Sequence, residues 1–369
     1  MAYQSLQSLG SVLLAPVLHF FCQQLDQATA PSQRLFFLAR EGYWLEKAYQ
    51  TYQDANQQEK QCDVSSDTAL TTAVATHSSS DTSAYLLVSR AFLFKIGLLE
   101  PETYQYSLNF NYSGSLYQLM RTRFMISDVS INKAFSRKEQ NKHIALPQDM
   151  DKVTKLLNQS LAPLSPIINQ TKMAYQAYLT QLGYFDDARS HLVDIGYSGT
   201  IQTLLTLIFK QPTAGHYLIA SQPGHHQIGN QTMTMAGYLK EGVKLGDGYL
   251  PLDRSMFLES LLTAPNGQFQ DIRFNPLEHK EFDFYFGRKT SAQHHFYLLE
   301  QVFQGALQRL YQLQCDRVCF SQGEIEQLYT QFVTQQGLIP RTSWPLFSID
   351  DDTANVGTVS PLDFFGLRL

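Results

Sequence analysis

The sequence predicts an α/β protein with a mostly parallel sheet, and three stretches of its 369 residues carry that expectation. QRLFFLAREGYWLEKAY (33–49), AYLLVSRAF (84–92) and HLVDIGYSGTIQTLL (191–205) share one pattern: a short apolar run, a polar turn, then a helical stretch. Continuous apolar runs of this length suit strands buried on both faces. Strands alternating with helices form a parallel sheet with helices on both sides. The expected architecture is therefore Rossmann-like, with ligands outside the carboxyl ends of the strands.

The elements follow in order. GSVLLAPVLHFFCQQL (10–25) is apolar but interrupted by Pro16 and His19. Residues 5–28 read as one long helix or two short ones hinged at Pro16, too short and broken to span a bilayer. With no basic leader before it, a cytoplasmic location is the expectation. Leu35–Leu38 is the first strand, Arg40-Glu41-Gly42 its turn, and Tyr43, Trp44, Ala48 and Tyr49 recur at helical spacing. Residues 53–83 are rich in Ser, Thr and Gln, contain no Phe, Tyr or Trp, and read as a polar, mobile surface loop. Residues 91–182 read as an inserted, mainly helical region. AGHYLIAS (214–221) and TMAGYL (234–239) read as further strands. Beyond residue 250 the periodicity is helical, in RSMFLESLLTAP, HHFYLLEQVFQGALQRLYQL and EIEQLYTQFVTQQ. The expected organisation is an α/β unit over 1–250 with a helical region over 251–369 packed on it.

A net charge of −5 argues against nucleic acid or an anionic membrane as a non-specific partner. Four cysteines are too few and scattered for a disulfide framework, and Cys315 and Cys319 lack companion ligands for zinc. They read as buried thiols.

If the three strands are parallel neighbours, their turns converge on one crevice. In the 191–205 stretch, Gly196 and Gly199 permit a sharp turn and close approach of a ligand. Ser198 and Thr200 add hydroxyls, and the amides of the helix start suit a phosphate. The same residues also suit a simple helix cap, and both readings stand at this level. The stretch is neither a Walker loop, since no Lys follows the glycines, nor a dinucleotide fingerprint. Asp194, at the lip, would repel an anion unless it binds a metal, holds a sugar hydroxyl or takes a proton. Arg40 suits a phosphate clamp and Glu41 a metal ligand or general acid/base; a surface ion pair of little energy is the alternative. Ser89 and Arg90 suit a phosphate oxygen, or an ordinary turn. Glu259, set among Phe257, Leu258, Leu261 and Leu262, either faces solvent, pairs with an Arg, or reaches the crevice as a second acid. The candidate site therefore comprises Asp194 and Glu41 as catalytic and Mg²⁺-binding groups. Arg40, Gly42, Ser89, Arg90, Gly196, Ser198, Gly199 and Thr200 form its phosphate-binding part.

With these residues in view, FLAREGYWLEKAY, YLLVSRAF, VDIGYSGTIQTL and LESLLTAPNG, in that order, resemble a bacterial family. It is the C-terminal region of predicted hydrolases of the haloacid dehalogenase (HAD) superfamily, found beside or fused to glycosyltransferases in capsule and O-antigen clusters. The resemblance implies a HAD-like fold, a phosphorylated small molecule as ligand, a glycosyltransferase partner and a role in surface polysaccharide biosynthesis; Mg²⁺ is expected from the pairing of acids with a phosphate. It also implies a departure: Ala39 stands where the family's nucleophilic Asp is expected, with Glu41 at the acid's place, Ser89 at the second motif and Asp194 at the metal-binding end. Without that nucleophile, aspartyl-phosphate chemistry is not expected, and a non-catalytic scaffold or regulator of a glycosyltransferase is the alternative. VDIGYSGTIQ also looks like the ribose-phosphate loop of phosphoribosyltransferases, with Asp194 as one acid and Ile195 where a second is expected.

Overall fold

The structure, a computed structural model, describes residues 2–64, 82–277, 281–351 and 357–368. Its strands are, in chain order, β1 (Leu35–Leu38), β2 (Ser83–Leu86), β3 (Tyr112–Ser115), β4 (His143–Leu146), β5 (Ser190–Asp194) and β6 (Thr213–Ala220). β7 (Gly224–Ile228), β8 (Gln231–Glu241), β9 (Phe269–Phe274), β10 (Phe282–Phe286), β11 (Ile349–Asp351) and β12 (Gly357–Val359) follow. Six of them form the central sheet in the order β2-β1-β5-β6-β8-β7, parallel except for the edge strand β7. The other six form three separate two-stranded antiparallel sheets, β3–β4, β9–β10 and β11–β12.

β1 explains the two-faced packing. Its four residues are all buried, and successive side chains point to opposite faces. Leu35 and Phe37 enter one core with Val193 of β5, the N-terminal helices, the helix Gly42–Val64 and the long helix Phe296–Cys315. Phe36 and Leu38 enter the other with Leu192, the helices Arg90–Gly97, Ser165–Gln181 and Thr200–Phe209, and Phe269 of β9. The fold is thus an α/β architecture with helices on both faces, compatible with a Rossmann-like arrangement. Both cores draw residues from either side of residue 250. The buried ion pair Lys95–Asp271, at 2.9 Å, also ties the inserted region to β9.

Several expectations change. Residues 53–64 are the end of the helix Gly42–Val64 rather than loop; residues 65–81 lie outside the described residues. The inserted region contains the antiparallel β3–β4 pair as well as helices, and two further antiparallel strand pairs interrupt the helical C-terminal part. Cys315 and Cys319 are exposed, not buried. The N-terminal segment is not broken at Pro16. Ala2–Leu9, a π-turn over Gly10–Leu14 and Ala15–Ala28 run on continuously, and the π-turn spans the place where proline cannot donate to the ladder. Among the described residues this is the one helix long and apolar enough to cross a membrane, but 67% of its most apolar window is buried against the protein. A core helix accounts for it.

Candidate functional site

The strand order reverses at β1. The chain steps from β1 to β2 on one side, then returns to β5 on the other. The helix after β1 contributes Trp44 and Leu45 to one core, and the helix after β5 contributes Leu204 and Leu205 to the other. Their connecting turns therefore diverge to opposite faces, which leaves a crevice between them. Phe37 pairs with Val193, so Leu38 and Asp194 end at one level. A cleft of about 570 Å³ fills this crevice.

The turn after β5 is shaped by its glycines. Gly196 has φ +142°, and a Cβ there would lie 2.4 Å from the Ile219 carbonyl oxygen of neighbouring β6. Gly199 has φ +68° and stands at the N-cap of Thr200–Phe209 with no side-chain cap. The Ser198 and Thr200 hydroxyls bond each other at 2.9 Å instead. Neither serves as a cap, and among the described residues no side-chain hydrogen bond to the first-turn amides is seen. All four residues, Gly196, Ser198, Gly199 and Thr200, line the cleft.

Arg40, Glu41, Ser89, Arg90 and Asp194 line it as well. Gly42 does not: it is buried behind the turn, where a Cβ would lie 2.4 Å from the Phe37 carbonyl carbon. Its role is to let the helix approach β1. Ser89 lines the wall, but its hydroxyl donates to the Phe269 carbonyl at 2.6 Å and accepts from the Phe92 amide at 3.1 Å. Its only proton is committed, and Ser89 is the N-cap of the helix Arg90–Gly97.

The acids meet. The Asp194 carboxylate accepts the Ile195 amide at 2.8 Å. Burial, then the nearby charge of Glu41, pushes its carboxyl well above the ordinary range, with Glu259 adding to the effect. Glu259 reaches the cleft from the helix Met256–Leu261. It is raised by burial and by Glu41, while Ser255, Tyr197 and Arg40 pull it down. Tyr197 donates to Glu259 at 3.2 Å. Like charges in one desolvated space favour the protonated form of some members, so this cluster holds a proton at pH values where isolated carboxyls would not.

Glu259 carried a signal, a carboxylate in an apolar helix. Tyr197, Arg123 and Lys244 also line the cleft, and nothing in their local sequence marks them. Phe94, Tyr197 and Tyr217 form parts of the wall without filling the cleft. Among the described residues, no three His, Cys, Asp or Glu side chains could together hold a metal ion. Glu41 and Asp194 offer only hard oxygen donors. Mg²⁺ commonly takes one or two protein carboxylates and completes its shell with water and ligand phosphate, so the pair fits such an ion as a partial shell. Compared with known proteins, the chain matches no family model and no curated relative.

Proposed function

We propose that the cleft binds a phosphorylated, hydroxyl-bearing small molecule, and that the protein acts on it in surface polysaccharide biosynthesis by phosphoryl or glycosyl-phosphate transfer or hydrolysis. One observation carries this reading: amides free of side-chain caps, at the start of Thr200–Phe209, share an open cleft with Asp194 and Glu41 at the strand-order reversal. The phosphate sits at the 196–200 turn, and Arg40 offsets its charge. Asp194, kept protonated by its surroundings, donates to the leaving oxygen; Glu41 accepts the proton of the attacking hydroxyl or water. Ala39 offers no nucleophile, so the attack is direct. If a magnesium ion binds, Glu41 and Asp194 would hold it as ionised carboxylates and it would neutralise charge on the phosphoryl oxygens, in place of these proton-transfer roles. The four sequence blocks that resemble HAD-superfamily hydrolase-like proteins supply the pathway and the glycosyltransferase partner.

Ala39 also favours the second reading, a non-catalytic module that binds ligand in support of a glycosyltransferase. The phosphoribosyltransferase comparison has less support, since Ile195 is 3% exposed and packs in the core below the sheet. The test is a thermal-shift screen of sugar phosphates, nucleotide sugars and phosphoribosyl pyrophosphate, with and without Mg²⁺. A ligand that binds only the folded state raises the melting temperature. A sugar phosphate or nucleotide sugar should stabilise the wild type and do so less in Asp194→Asn. No shift with any of the compounds, or equal shifts in both proteins, would overturn the site. Binding without turnover would select the non-catalytic module.

A further inference from the structure

The cleft continues past the phosphate turn on the side away from Glu41. Main-chain bonds carry the strand ends across it. The Ser221 amide donates to the Tyr197 carbonyl at 2.9 Å, and the Gly242 amide donates to the Ala220 carbonyl at 2.9 Å. The turn after β5, the end of β6 and the loop after β8 therefore sit side by side. Ser221, Gln222, Lys244 and Leu245 line the cleft here, whereas Glu41 follows β1, on the other side of β5.

The loop that carries Lys244 is braced from within. Its feet, Val243 and Tyr249, pack on the same core as Leu35 and Phe37. Between them, the Lys244 amide donates to the Asp247 carboxylate at 2.8 Å, and the Asp247 amide donates back to the Lys244 carbonyl at 3.1 Å. The Gly246 and Gly248 amides donate to the two carboxylate oxygens of Asp253, at 2.6 and 3.0 Å. Both glycines have positive φ, +93° and +84°, with open space where a Cβ would stand, so the path of the chain requires them. These bonds fix the main chain of the tip and leave the Lys244 side chain over. Among the described residues, its ammonium has neither a hydrogen bond nor an ion pair. The Ser221 hydroxyl and the Gln222 side-chain amide, on the β6 end between it and the turn, have no hydrogen bond among the described residues either. A fixed main chain thus presents a cation and two neutral polar groups beside the amides of the 196–200 turn.

Reach decides what the cation can hold. Gly242 lies two interstrand steps from Tyr197, about 10 Å. A lysine stem spans roughly 6 Å. From this side the ammonium stops about 4 Å short of the turn. It meets a second anionic group bonded to the phosphate seated there, and as a compact point charge it suits phosphate oxygens.

We propose that Lys244 forms a second phosphate subsite, so that the ligand is a diphosphate ester with one phosphate in the glycine turn and the other at Lys244. Ser221 and Gln222 donate to the oxygens between the two. The hydroxyl-bearing part of the ligand lies on the opposite side, toward Glu41 and Asp194. This subsite rests on the phosphate reading of the turn.

The experiment titrates the full chain calorimetrically with inorganic phosphate and inorganic pyrophosphate, the groups common to such ligands, with and without Mg²⁺. Wild type should bind pyrophosphate about 10-fold or more tightly than phosphate, as one further charge-assisted contact would supply. Lys244→Gln, at an exposed position, should reduce that preference at least about 5-fold and leave phosphate affinity within about 2-fold. Lys244→Arg should retain the preference. Lys138→Gln removes the same charge at an exposed site outside the cleft and should leave it unchanged. Phosphate binding with no gain for pyrophosphate would overturn this subsite and leave the phosphate turn standing. A gain that survives Lys244→Gln, or that Lys138→Gln reduces equally, would overturn it too. Equal weakening of both anions in Lys244→Gln would move Lys244 onto the first phosphate and also overturn it. Failure of both anions to bind would overturn the subsite and the phosphate reading together.

Discussion

Tyr197 donates its phenolic proton to Glu259 at 3.2 Å, joining the turn after β5 to a helix more than 60 residues further along the chain. The bond has two consequences: it holds the third acid at the cleft, and it favours the ionised form of that acid. Tyr197→Phe should raise the Glu259 pKa further and destabilise the fold by about 1 kcal/mol, the usual net value of one such bond. Urea unfolding of the variant, with Glu259 titrated by carbon-detected NMR, measures both. An unchanged Glu259 titration would remove Tyr197 from the electrostatics of the site.

Asp194 sets the pH dependence. Its folded-state pKa is raised, while an unfolded Asp ionises near pH 4. The folded state therefore binds more protons than the unfolded state between those two values, and stability falls as pH rises through that window. The contribution is fully present below about pH 4 and lost once pH exceeds the folded value. Asp194→Asn retains an acceptor for the Ile195 amide and carries no charge. It should melt higher than wild type at pH 8, with a flatter pH profile, and show a smaller ligand-induced shift in melting temperature. A variant that is less stable than wild type at pH 8 would contradict the raised carboxyl.

The glycine turn should tolerate its two glycines differently. Gly199→Ala places a side chain in the left-handed region, with its Cβ 3.4 Å from Met235, and should cost about 1–2 kcal/mol. Gly196→Ala meets the Ile219 carbonyl at 2.4 Å, so the turn must move. It should cost more than Gly199→Ala and abolish the ligand-induced thermal shift. Chemical denaturation and the ligand screen, run on both variants, check the ranking.

Ser89 separates packing from binding. Ser89→Ala removes a helix cap and leaves the Phe269 carbonyl without its donor. The expected loss is about 1–3 kcal/mol of stability, with ligand affinity changed less than by Gly196→Ala. Ligand affinity lost at unchanged stability would instead make Ser89 a ligand contact.

Local pattern was enough to reveal the strand-turn-helix units. Leu35–Leu38 and the 191–205 stretch announce themselves because burial on both faces demands unbroken apolar runs and a tight turn demands glycine. That level of information also contained Arg40, Glu41, Asp194 and the 196–200 turn. It misjudged residues 53–64, where polar composition suggested loop, because a helix satisfies its own backbone bonds whatever its side chains. The tertiary structure alone decided that β5, some 150 residues after β1, pairs beside it, since strand partnership depends on packing across the whole sheet and leaves no local period. The same pairing decides which charges share the cleft. Glu259 arrives from the helix Met256–Leu261 and Arg123 from the turn that ends the helix Leu116–Thr122, and a carboxyl or guanidinium acquires its perturbed character only from the neighbours and the loss of water that the finished fold imposes.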